Sequence, residues 1–153
     1  MADNYDLLLQ PPQDGLYFVP DDDHSGVGSA YWHGIAGENL TIMNLCGLQA
    51  DGKWDQCDAD VLAETDALIG FCCATVNTDD TVNFILSRAV VRDYTWEWAT
   101  IGAAVYVDVN SGAIVDAAST TEGDFVRKIG YVLSADAIMF EQLGAVVEVG
   151  AAP

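Results

Sequence analysis

Residues 101–149 read IGAAVYVDVNSGAIVDAASTTEGDFVRKIGYVLSADAIMFEQLGAVVEV, a succession of short alternating apolar runs cut by Gly, Ser, Asn and Asp. This is the pattern of strands joined by tight turns. Side chains alternate along an extended chain, so Val105, Val107 and Val109 are expected to share one face. Asn110-Ser111-Gly112 supplies a turn, Ile114 and Val115 begin a return strand, and 120–124 is a loop. The longest strand candidate runs over 125–133. Ser134-Ala135-Asp136 turns the chain again, Ile138 and Phe140 alternate with Ala137, Met139 and Glu141, and Val146, Val147 and Val149 close the series after Gly144. Nothing in this stretch looks like catalytic apparatus.

The same plan occurs earlier in the chain. Asp51-Gly52 and Ser111-Gly112 are turn candidates, each followed after the same interval by a near-identical triplet, Ile69-Gly70-Phe71 and Ile129-Gly130-Tyr131. Leu45 and Cys46 stand where Val105 and Tyr106 stand in the later copy. Two copies at a period of roughly sixty residues lie outside the solenoid range, which points to two β-modules packed on each other. The expected division is an N-terminal arm and first strand over 1–36 and a β domain over 37–150, with its pseudo-repeat at 37–92 and 93–150. The fold class is therefore all-β: a small barrel or sandwich of two similar β-modules with an extended N-terminal arm.

A chain of 153 residues is long enough for one domain that buries about two-thirds of its unfolded surface. Its 51 % hydrophobic content excludes a disordered chain despite the large charge. No apolar run is long enough to span a bilayer, and no basic segment precedes an apolar one at Met1, so neither a membrane helix nor a signal peptide is expected. Synthesis in the cytoplasm follows. With 24 acidic residues against 5 basic ones, the formal charge of −19 repels phosphate backbones and anionic lipid alike. Nucleic acid and membrane are thus not expected as partners. Such a Lys-poor, Asp-rich surface resembles proteins of saline environments, where the Debye length falls to about 3 Å at 1 M salt.

Leu7-Leu8-Leu9 is followed by Gln10-Pro11-Pro12, a breaker that forces the preceding residues into an extended or turn conformation. The segment reads either as a first strand or as an arm lying on a neighbouring subunit. Leu16, Tyr17, Phe18 and Val19 form a short strand candidate ending at Pro20. Tyr31 and Trp32 suit either core or interface. Residues 58–67 are the one modest helix candidate, and 82–91 returns to strand character. Tyr94, Trp96 and Trp98 alternate with Thr95, Glu97 and Ala99, so an extended segment would carry three rings on one side. Such a stripe serves as core, as a seam between modules or subunits, or as a sugar-stacking surface with at least two rings facing solvent. The candidate interface residues are Leu7, Leu8, Leu9, Tyr17, Trp32, Tyr94, Trp96 and Trp98.

The sequence offers little chemistry. The acidic runs at Asp21-Asp22-Asp23 and from Asp51 through Asp55, Asp58 and Asp60 lack the spacing of a calcium loop, so no metal ligands are expected. Cys46, Cys57, Cys72 and Cys73 contain no C-x-x-C pair and read as small buried hydrophobes. His24 and His33 lie outside the repeated body, and no nucleophile elbow, phosphate loop or dinucleotide fingerprint occurs. An enzyme is not expected, nor is a cofactor. A glycoside hydrolase would require two carboxylates converging in a cleft.

The segments GLQADGKWDQCDA (47–59), Leu68-Ile69-Gly70, Phe84-Ile85-Leu86, Val90-Val91-Arg92-Asp93, GAAVYVDVNSG (102–112), GDFVRKIGY (123–131), Ile138-Met139-Phe140 and Val146-Val147-Glu148-Val149 together resemble small β-rich virion proteins of tailed viruses. These are head decoration proteins or tail and fibre components. The resemblance covers residues 37–149 and rests on turns and apolar positions. It implies a cement protein on the capsid exterior, bound to the major capsid protein, commonly as a homotrimer at points of local symmetry. The alternative it implies is a tail or fibre component that binds a host glycan through exposed aromatics.

Overall fold

The computed structural model describes residues 25–28, 31–86, 88–142 and 144–151. Of the arm and first strand expected over 1–36, residues 1–24 lie outside them, with Leu7, Leu8, Leu9, Tyr17, His24 and the acidic run beside it, whereas Ser25–Gly28 and Tyr31–Ile35 are strands of the two sheets. The strands are β1 (Ser25–Gly28), β2 (Tyr31–Ile35), β3 (Leu45–Leu48), β4 (Trp54–Gln56), β5 (Ile69–Cys72), β6 (Thr81–Ile85), β7 (Ala89–Arg92), β8 (Ala104–Val107), β9 (Ile114–Val115), β10 (Phe125–Val126), β11 (Lys128–Ser134), β12 (Ala137–Phe140) and β13 (Val147–Glu148). A single turn of helix, α1 (Leu62–Thr65), stands between β4 and β5. The fold is all-β, and every strand pair is antiparallel.

Two sheets carry the fold. The five-stranded sheet has the order β2-β6-β5-β3-β4, and the six-stranded sheet has the order β1-β7-β12-β11-β8-β9. With β1 set aside, the two orders are one connectivity written twice: first strand, fifth, fourth, second, third. The first set runs from Tyr31 to Ile85 and the second from Ala89 to Phe140. The sheets share a bent ribbon. β1 pairs with β7 in one sheet while β2 pairs with β6 in the other, so Ser25–Gly28 and Tyr31–Ile35 run antiparallel to Ala89–Arg92 and Thr81–Ile85 respectively. Arg88, with φ at 59°, sits at the bend.

The repeated Gly residues have repeated tasks. Gly52 and Gly112 hold φ at 85° and 75°, the left-handed turn conformation that a side chain disfavours. Gly70 and Gly130 lie where a Cβ would press on a neighbouring strand's carbonyl, that of Ile85 and that of Met139 respectively.

The main core fills the space between the sheets. Leu45, Ile69, Phe71 and Ile85 meet Val91, Val105, Val107, Val132, Ile138 and Phe140 there. A second cluster, Ala36, Leu40, Cys46, Trp54, Cys72, Val82 and Phe84, lies on the far face of the five-stranded sheet. The period of two explains the split, because Cys46 and Phe84 adjoin Leu45 and Ile85 and point the other way. The 36–44 loop covers this outer face through Ala36 and Leu40, and the Trp54 and Phe84 rings stack beneath it at 4.3 Å. Further bonds tie the modules: Leu45 N–H donates to Gly112 O at 2.9 Å, Gly112 N–H to Cys57 O at 2.8 Å, and the Gln142 amide bonds both backbone groups of Ile69.

Several expected elements are redrawn. Val105 and Val107 enter the core as expected, whereas Val109 is exposed in the turn that follows. The 125–133 strand is interrupted at Arg127, whose side chain turns inward and is buried. Its guanidinium donates to Thr65 O at 2.7 Å and Ala67 O at 2.6 Å, the carbonyls at the end of α1. A cation at a helix C-terminus faces the negative end of the backbone dipoles. The residues from Leu40 to Asn44 bend, with Met43 at φ 67°, and β3 begins at Leu45.

Candidate functional site

Tyr94, Trp96 and Trp98 do not form an extended stripe. The Asp93 carboxylate accepts the Thr95 N–H at 2.8 Å and the Thr95 hydroxyl at 2.7 Å, and the Asp93 carbonyl accepts the Trp96 N–H at 3.1 Å. This side-chain-to-backbone turn displaces the strand that the alternation predicts. Trp96 and Trp98 fold against the main core, their ring centroids 5.7 Å apart and Trp96 6.1 Å from Phe71. Only Tyr94 of the three faces solvent, at 51 % exposure.

The consequence lies on the outer face of the six-stranded sheet. In the five-stranded sheet, the loop between first and second strands covers the outer face. The corresponding loop at 93–103 sends its two tryptophans into the main core instead. The outward positions of β7, β8, β11 and β12, Ala137 excepted, therefore keep access to solvent. Register aligns Val90, Met139, Tyr131 and Ala104 in one row across four strands. Tyr131 and Leu133 are 42 % and 45 % exposed. Tyr106 and Lys128 flank the row, and Arg92 stands at its other side. Two of the chain's 5 basic residues are among them, each with a carboxylate beside it, Asp136 at Arg92 and Glu141 near Lys128.

Electrostatics on this face are local. The Lys128 ammonium donates to the Tyr131 hydroxyl at 2.9 Å and lies 5.0 Å from that ring's centroid. The bond to Tyr131 raises the Lys128 pKa, so the cation persists. The Arg92 guanidinium bonds the Asp136 carboxylate at 3.1 Å and lies 6.0 Å from the Tyr94 ring. Tyr94 thus extends the face beyond its rim. Trp32 is elsewhere, 56 % exposed on β2 at the end of the other sheet. The predicted interface residues that are described fall into three places: the last described strand of the five-stranded sheet, the rim of a face and the core.

Tyr131, Leu133, Val90 and Met139 were not singled out by sequence reasoning. Their signal was present: in Lys128–Ser134 both alternating sets carry apolar side chains, where a strand with one solvated face carries polar ones.

The remaining candidate chemistry stays dispersed. Among the described residues, no group of three or more His, Cys, Asp or Glu side chains could hold a metal ion. Asp58 accepts the Asp60 N–H and the Ser111 hydroxyl, and His33 Nδ1 is 2.8 Å from Asn83 Oδ1. Cys46, Cys57 and Cys72 are buried, Cys73 is half-buried, and all four are free. Burial raises each thiol pKa, Cys73 to about 11, which suppresses the nucleophilic thiolate. Among the described residues no helix is long and apolar enough to cross a membrane. Comparison of the chain with known protein families, with curated proteins and with solved structures finds no match.

Proposed function

We propose that this chain is a structural protein of a tailed-virus particle, a decoration protein that binds the outside of the assembled head and stabilises it by protein–protein contact. The observation that carries this reading is the uncovered face of the six-stranded sheet around Tyr131, Leu133, Val90 and Met139. A chain of formal charge −19 repels most acidic surfaces, and this face is where it presents apolar area and cations together. Apolar faces rimmed by polar residues are the usual mark of a docking surface. The sequence resemblance supplies the class of partner, the major capsid protein. Copies seated side by side on one shell gain avidity that a single small contact lacks. The glycan-binding alternative asks for exposed rings at Trp96 and Trp98, and both pack partly buried against the core, while Trp32 and Tyr94 are the exposed rings it would have to use.

The test titrates the full chain onto undecorated, expanded heads of the tailed virus that encodes it. Saturable co-sedimentation is expected, with a higher rupture temperature for decorated heads. Tyr131→Asp combined with Leu133→Asp is expected to weaken binding at least tenfold while moving the free chain's melting temperature by only a few degrees. Heads that never retain the unaltered chain would refute the proposal.

A further inference from the structure

Residues three apart in a regular strand point to opposite faces, yet Lys128 and Tyr131 of β11 meet on one face, the ammonium 2.9 Å from the phenol oxygen. The cause is a β-bulge. Lys128 stands opposite Tyr106 of β8 and Gly130 opposite Val105, so β11 carries one more residue than its partner across that step. Ile129, between the two, is buried in the main core. The first module has no such shift: Ile69, Gly70 and Phe71 stand opposite Gly47, Cys46 and Leu45 in one continuous register. Phe71 therefore enters the main core, whereas Tyr131, its counterpart in the repeated triplet, is turned to the outer face.

The pair that the bulge assembles has donors to spare. The Tyr131 oxygen accepts from Lys128, which leaves the phenol proton for another acceptor, and the ammonium keeps further N–H groups beyond the one in this bond. Charge sets the pair apart. Lys53 and Arg92 each bond a carboxylate, those of Asp79 and Asp136, whereas the bonded partner of Lys128 is a neutral phenol. Glu141 is near enough to act on Lys128 electrostatically, without an ion pair to it among the described residues. We infer that Lys128 and the Tyr131 hydroxyl form a carboxylate-binding site, which takes an Asp or Glu side chain from an extended segment whose apolar residues pack on Val90, Met139 and Leu133. One carboxylate can accept from both donors, and such charge-assisted bonds are roughly twice as strong as neutral ones. A backbone carbonyl in the same place would leave the ammonium uncompensated in a contact that excludes water, which is costly. The site therefore selects an acid.

The inference deepens the head-docking reading and rests on it for the source of the carboxylate, the head protein, but the site itself is tested on the free chain. The full chain is titrated with N-acetyl-Leu-Glu-Leu-amide and with N-acetyl-Leu-Gln-Leu-amide to roughly 10 mM, the range of a weak single contact, while NMR follows the Tyr131 ring and the Lys128 ε-methylene. The glutamyl peptide is expected to shift both signals saturably and to bind about fivefold more tightly than the glutaminyl one. Tyr131→Phe, which keeps the ring and loses the donor, and Lys128→Met are each expected to abolish that preference with little change in melting temperature. Arg88→Met, at another exposed cation, leaves it unchanged. On undecorated heads the first two variants are expected to bind about tenfold more weakly, and undiminished binding would remove the head protein as the source. Equal binding of the two peptides, no saturable shift, or a preference that survives Tyr131→Phe and Lys128→Met would overturn the site even where heads retain the chain. Heads that never retain the chain, with the peptide preference intact, would overturn the docking reading and leave the carboxylate site standing.

Discussion

Gly130 shows how much one missing side chain decides. A Cβ there would collide with the Met139 carbonyl on the neighbouring strand, and one at Gly70 would stand 3.0 Å from the Ile85 carbonyl. Both contacts are with backbone oxygen, which yields less readily than a flexible side chain, and the one at Gly130 is much the closer, so the two positions differ in severity. Gly130→Ala is expected to cost about 3 kcal/mol and Gly70→Ala about 1 kcal/mol, as overpacking in a closed site does. Urea unfolding of both variants checks the order, and an equal or reversed cost would refute the steric account. The paired triplets were legible in the sequence as repetition. Their cause was not, because it is the approach of a strand distant along the chain.

At the scale of elements, the loop at 93–103 departs most from its sequence pattern. Alternating aromatics favour an extended segment, but the Asp93 carboxylate offers Thr95 two hydrogen bonds that an extended chain would forgo. Trp96 and Trp98 then close the main core. Trp98→Ala is expected to destabilise by about 2 kcal/mol, less than a fully buried tryptophan because the ring is half-buried, and Tyr94→Ala to stay within about 0.5 kcal/mol. Denaturant midpoints at constant slope measure both. Equal effects would mean that Trp98 contributes no packing. The 125–133 segment is instructive in the same way. Its apolar pattern was legible, yet Arg127 breaks the strand because the carbonyls of Thr65 and Ala67 draw its guanidinium inward.

For the molecule as a whole, crowded carboxylates set the response to solvent. Asp55 has a raised pKa from burial and then from Glu38, and Glu64 from burial and then from Asp58. Asp60 is raised first by its hydrogen bond with Asp58 and then by that group's charge. Raised carboxyl pKa values mean that the folded state holds these protons more tightly than the unfolded chain. Their stabilising contribution is complete below the ordinary carboxylate range and is lost as pH rises through the folded-state values. The melting temperature is therefore expected to fall as pH rises from about 4 to about 6, out of the ordinary carboxylate range, as scanning calorimetry would read. A melting temperature that climbed with pH would contradict this. At neutral pH, 24 acidic against 5 basic residues also predict a melting temperature that rises by several degrees between 0.05 and 1 M salt, as screening shortens to about 3 Å. A flat response would remove the saline-surface reading.

The sequence by itself determined the all-β class, the turns at Gly52 and Gly112, the inward set of β12 and the likeness of the two modules. Each depends on neighbours along the chain, where alternation and left-handed turn residues act locally. Tertiary structure alone decided which loop covers its sheet and which leaves a face open. That choice rests on Asp93 turning the chain and on the main core taking both tryptophans, contacts between segments that no local pattern encodes.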